Sequence, residues 1–128
     1  MTMDLLSLAA FKKALASLER AIQQPKNEFN RDSVIQRFEY SFELSWKILK
    51  RYFMLNQNLD ESHIKNLFRE AGKQGLVDSV ENWFAYHKAR NLTSHTYNEE
   101  TAEEVYLAAC DFYKDAVVLL SRLEKVLD

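Results

Sequence analysis

Apolar side chains recur along this chain at alternating steps of three and four, the spacing that gathers them on one face of an α-helix. Leu8, Phe11, Leu15, Leu18 and Ile22 form the first stripe and predict a helix from about Asp4 to Gln24. Pro25 ends it, because proline brings no amide proton, and residues 26–31 read as a polar connection. Asp32 or Ser33 can cap a second helix reaching about Asn56, with Gln36 as the capping-box partner of Ser33. Its apolar positions fall into two stripes: Ile35, Phe38, Phe42, Ser45, Leu49 and Tyr52, then Leu44, Ile48 and Leu55. Asp60 caps a short third helix through about Ala71, which Gly72 or Gly75 stops. Asp78 with Glu81 opens a fourth, to about Leu92, and Thr101 with Glu104 opens a fifth that runs almost to the C-terminus. The fifth again carries two stripes: Val105, Phe112, Ala116, Leu119, Leu123 and Val126 beside Tyr106, Cys110, Tyr113, Val117 and Leu120.

Composition sharpens this to an all-α, up-and-down bundle of about five helices. Two glycines and one proline in 128 residues are too few for the turns of an α/β or all-β domain. The length predicts one domain over residues 1–128, large enough to bury a core without staples. Double stripes on two helices leave more apolar surface than one small bundle covers, and this predicts a homodimer. The apolar runs are too short for a membrane span or a signal peptide. One cysteine, Cys110, rules out a disulfide framework and suits a reducing, cytoplasmic setting. A net charge of -2 argues against a general nucleic-acid coat but allows a local basic cleft.

Much chemistry is excluded. Gly72 and Gly75 fit neither a phosphate loop nor a dinucleotide fingerprint. His63, His87, His95 and Cys110 match no zinc spacing, and no glutamate is followed three residues later by histidine, as a di-iron bundle requires. No metal or cofactor is expected. Trp46 and Trp83 read as core or interface anchors, and Lys65, Arg69 and Lys73 as a basic stripe that is either a solvated face or a rim for RNA or a partner.

Chemistry concentrates in 88–98, which holds Arg90, Asn91, Thr93, Ser94, His95, Thr96 and Tyr97 where a helix gives way to a loop. On a continuous helix Arg90 and His95 would stand about 140° apart. A helix ending near Leu92 would let them converge, and His87 lies one turn back from Arg90 and Asn91. Histidine can take the proton of a ribose 2′-hydroxyl, and the planar fork of Arg90 can hold the scissile phosphate, with Asn91, Thr93 and Ser94 adding donors. A helix cap with a surface ion pair is the plainer account of the same residues. Glu39, Glu43 and Lys47 are one turn apart, so Glu43–Lys47 reads either as an exposed pair or with Glu39 or Glu43 facing the cleft to orient Arg90.

The motif Arg90-x4-His95-x-Tyr97 resembles the signature of the HEPN superfamily, the higher eukaryote and prokaryote nucleotide-binding domains. With Gln36 to Lys50, Arg69 to Ala71, Arg90 to Tyr97 and Glu99 to Ala102, the chain is similar to the nucleotidyltransferase substrate-binding proteins. That resemblance implies a homodimeric bundle assembled with a separate minimal nucleotidyltransferase encoded nearby. In related toxin–antitoxin pairs it implies a metal-independent ribonuclease whose Arg and His meet their dimer mates in a cleft. Arg90 and His95 would then be the catalytic pair and Tyr97 the tyrosine on which the nucleotidyltransferase places AMP. The family name implies instead a non-catalytic subunit that presents a substrate or completes a nucleotide pocket.

Overall fold

The computed structural model describes residues 5–53 and 61–126. Its elements are α1 (Leu5–Ile22), α2 (Glu28–Tyr52), α3 (Glu61–Lys73), α4 (Val80–Asn91), a 3-10 turn (Leu92–His95) and α5 (Glu99–Val126). Side-chain bonds give the directions. Ser17 on α1 accepts from Arg37 Nε at 2.9 Å and from Tyr40 at 3.3 Å, so α1 and α2 form an antiparallel hairpin. Tyr113 donates to Glu19 and Lys12 approaches Glu124, which sets α5 antiparallel to α1. Tyr86 donates to Asp115 and Arg122 to Asp78, so α4 also runs against α5.

Most of the expected stripe residues form the core, with Leu8, Ile22, Leu44 and Tyr52 half-buried at its margin, Val117 exposed, and Leu55 outside the described residues. Phe11, Leu15 and Leu18 of α1 are buried, as are Ile35, Phe38, Phe42, Ser45, Ile48 and Leu49 of α2. The first stripe of α5 is buried from Val105 to Leu123, while Val126 emerges at 51% exposure. In the second, Tyr106, Cys110 and Tyr113 are half-buried, and burial pushes the Cys110 thiol up. Phe42 is the hub. Its ring lies 5.8 Å from Phe68, 6.1 Å from Phe112, 6.2 Å from Phe38 and 6.5 Å from Trp83, tying α2 to α3, α4 and α5. Edge and offset ring contacts of this kind add to the burial each ring already contributes.

The helix starts depart from expectation. Asn27, in extended conformation, accepts from the Asn30 amide at 2.8 Å, so α2 begins at Glu28 and not near Asp32 or Ser33. Ser33 therefore lies inside the helix and accepts from Arg37. Ser79, not Asp78, caps α4, and Asp78 binds Arg122. Asn98 accepts from the Thr101 amide, so α5 opens at Glu99. At α2 and α5 an asparagine nearer the preceding loop took the free amides first, whereas α4 starts one residue later than expected, at the extended Ser79. The expected Asp60 cap lies outside the described residues. At the end of α3, Gly75 adopts φ +75°, with its amide bonded to the Gly72 carbonyl and that of Leu76 to Ala71. These two bonds make the left-handed termination that favours glycine.

Two outcomes follow. Phe42→Ala should lose about 3–5 kcal/mol of stability in urea unfolding, because five rings lose contact with one side chain. The Tyr113 hydroxyl is pushed up to about 12, chiefly by its bond to Glu19 and secondly by burial. Its folded value lies above the unfolded value near 10, so its contribution is complete below about pH 10 and falls as pH rises toward 12. Tyr113→Phe should flatten the decline of stability across that window in alkaline titration.

Candidate functional site

The chemistry-bearing turn is positioned by a two-residue grip. Phe42 and Glu43 are neighbours on α2, the first facing the core and the second the surface. Phe42 lies parallel to the His87 ring, with centroids 5.9 Å apart and planes 9° apart. Glu43 Oε1 accepts from Arg90 Nε at 2.9 Å. One turn of α4 is thereby clamped at its buried and its half-exposed side together. The other carboxylate oxygen of Glu43 accepts from Trp46 Nε1 at 3.2 Å, so the acid is itself held in place. Trp83, in contrast, is in the core.

After Asn91 the helix tightens into the 3-10 turn Leu92–His95. Thr93 closes the end of α4 by donating to the Arg90 carbonyl at 2.8 Å, and Arg90 Nη1 reaches the same hydroxyl at 3.4 Å. Such hydroxyl-to-backbone bonds compete with helix continuation, which is why the α-helix stops here. Ser94 and His95 are exposed, and the His95 ring stands edge-on to Tyr97 with centroids 6.1 Å apart. Tyr97 is 85% exposed. Among the described residues no hydrogen bond joins Arg90 to His95.

Of the residues singled out in the sequence, the structure brings Glu43, Arg90 and Thr93 into contact, and His95 and Tyr97 into a second pair on the same turn. Asn91 is exposed at the helix end. Glu39 does not meet Arg90 but lines a groove of about 660 Å³ with Glu28, Arg31, Asp32, Thr96, Tyr97 and Glu99. His87 does not reach the surface with Arg90. It is 5% exposed in the core, and its place four residues after Trp83 was the signal for that. Trp46, expected as a core or interface anchor, packs against the core and also holds Glu43. Arg31 escaped the sequence: assigned to a connection, it instead sits on α2 and clasps Glu99 through both terminal nitrogens at 2.8 and 2.9 Å. That bond holds the Glu99 carboxyl below its ordinary range.

Within this helical bundle Arg90 stands in the last turn of α4, His95 ends the 3-10 turn and Tyr97 follows it. Residues 6–125 match the family model described as nucleotidyltransferase substrate binding protein like, and the chain belongs to that family. It is 34% identical to a Haemophilus influenzae protein named "Probable ribonuclease HepT", over 98% of this chain and 97% of that one. A solved H. influenzae structure, described as revealing the fold of a substrate binding domain of a nucleotidyltransferase, superposes with a TM-score of 0.77. It is 33% identical, covering 91% of this chain and 98% of its own. A Thermus thermophilus crystal structure gives the same TM-score at 34% identity, over 88% of this chain and 98% of that one.

The Glu43–Arg90 pair is about one-third exposed on both sides, so solvent screens it. A double-mutant cycle of Glu43→Gln and Arg90→Lys should give a coupling of about 1 kcal/mol or less, read by urea unfolding. A larger coupling would mean that the pair is there for stability.

Proposed function

We propose that this protein is the ribonuclease partner of a minimal nucleotidyltransferase, cutting RNA at a site built on Arg90 and His95. The observation that carries the reading is the Arg90 guanidinium fixed at Nε by Glu43 on the turn that exposes His95. The kinship with a protein named a probable ribonuclease supports it. His95 accepts the proton of a ribose 2′-hydroxyl, whose oxygen attacks the adjacent phosphorus. Arg90 places its free guanidinium edge on the phosphate and offsets the charge that grows on it, with Asn91, Thr93 and Ser94 as further donors. The bond to the 5′-oxygen breaks, that oxygen recovers a proton, and a 2′,3′-cyclic phosphate remains. Side chains supply both proton transfer and charge neutralisation, so this route is metal-independent.

In this reading two copies pair so that their Arg90–His95 turns share one cleft, in the cytoplasm, as in toxin–antitoxin systems. Exposed Tyr97 is the acceptor for AMP from the nucleotidyltransferase, and a bulky anion two residues from His95 closes the site and repels RNA phosphate.

A second reading keeps the binding role in the family name: a non-catalytic subunit that completes a nucleotide or substrate pocket. The groove beside Tyr97 gives such a subunit a concave face whose carboxylates suit a cationic or neutral group of the substrate.

Purified protein, freed of any AMP, should cleave RNA in EDTA. His95→Ala should abolish cleavage while leaving circular dichroism and sedimentation unchanged, and intact RNA with wild-type protein would favour the binding subunit. Incubation with the partner and ATP should raise the mass by whole AMP units, and Tyr97→Phe should remove the gain.

A further inference from the structure

Several cations meet carboxylates: Lys12 with Glu124, Lys26 with Glu103, Arg31 with Glu99, Arg90 with Glu43 and Arg122 with Asp78. Exposed cations without such a partner among the described residues occur on α1 and α5, as at Lys13, Arg20, Lys114 and Lys125, but on the α3–α4 hairpin they line up on one face. Lys65, Arg69, Lys73 and Lys88 are exposed, and none pairs with a carboxylate among the described residues. Lys65 and Arg69 are held against one ring, with Lys65 Nζ 5.8 Å and Arg69 Cζ 5.1 Å from the Phe84 centroid. Cation–π contact orients such groups without cancelling their charge. Of the hairpin's carboxylates, Glu61 opens α3 and Asp78, in the connecting loop, is bound to Arg122. Glu70 accepts from Gln74, and Glu81 lies in the first turn of α4, at the opposite end from Arg90.

The hairpin also has a direction. Gly72 abuts Val80 at its closed end, and Phe68 stacks on Trp83 further along. Lys73, Arg69 and Lys65 therefore descend α3 while Phe84 and Lys88 descend α4, toward the end of α4 that bears Arg90 and leads to His95. In a chain of net charge -2, a run of unpaired cations leading to one turn is a local field, not a general one.

We infer that this face of the α3–α4 hairpin is the track along which single-stranded RNA lies, its phosphates on Lys65, Arg69 and Lys88, as the strand enters the Arg90–His95 site. The inference rests on the ribonuclease reading for its ligand. It differs from that reading in placing the contacts that hold the strand away from the cutting residues.

The test uses the full chain carrying His95→Ala and a fluorescein-labelled single-stranded RNA, with anisotropy read across a salt series. Each phosphate contact to a single strand adds about 0.7 to the slope of log affinity against log salt. Adding Lys65→Gln, Arg69→Gln and Lys88→Gln should lower the slope by about 2 and weaken binding by about tenfold or more at ~0.1 M salt. Lys12→Gln with Lys125→Gln, on the other side of the bundle, should change the slope little. Equal loss in both sets, no loss in the hairpin set, or no RNA binding at all overturns the track. An unchanged affinity would leave the face to an acidic protein surface. Cleavage by the protein with native His95 is scored separately. RNA cut normally by the hairpin variant refutes the track alone. Binding lost in that variant, with no cleavage by wild type, refutes the ribonuclease reading alone.

Discussion

The turn that carries Arg90 takes its position from one buried contact, the parallel stack of Phe42 on His87. Phe42 touches rings from three other helices, so the turn of α4 at His87 cannot slide or rotate without disturbing the whole core. Arg90 is one turn further on, and the residue that binds it, Glu43, is the chain neighbour of Phe42. The guanidinium is thus registered against the core across a single peptide unit. Side chains fixed this way lose little freedom when they engage a ligand, which is the usual requirement for a site that handles charge.

Charge is partitioned around that fixed point. On one side is a groove rich in carboxylates, where Arg31 is already committed to Glu99. On the other is the α3–α4 hairpin with its uncommitted cations. The net charge hides both, because they nearly cancel. Surfaces of opposite sign on one small domain each repel what the other attracts.

The sequence was most informative where a periodic pattern has a single physical meaning. The number of helices, their buried stripes and the break after Asn91 were all legible, because apolar spacing and the cap-forming Thr93 leave few alternatives. Helix starts were less so: Asn27, Ser79 and Asn98 captured amides that Asp32 or Ser33, Asp78 and Thr101 could equally have taken, and only the backbone conformation decides. The pairing of Glu43 with Arg90 was one of the readings open in the pattern of α2. The burial of His87 was hidden, since Arg90 and Trp83 are both one turn away and pull the reading in opposite directions. The anchor role of Trp46 was legible but its bond to Glu43 was not, because an indole that orients a carboxylate has the same spacing as one that only fills a core.

Tyr97 stands at the lip of a hollow walled by Glu28, Asp32, Glu39 and Glu99, with only Arg31 to offset them. Any negatively charged substituent placed on that phenol would find the hollow uphill and the imidazole side downhill. Four carboxylates that Tyr97 does not bond would thus set the direction in which any such group leaned.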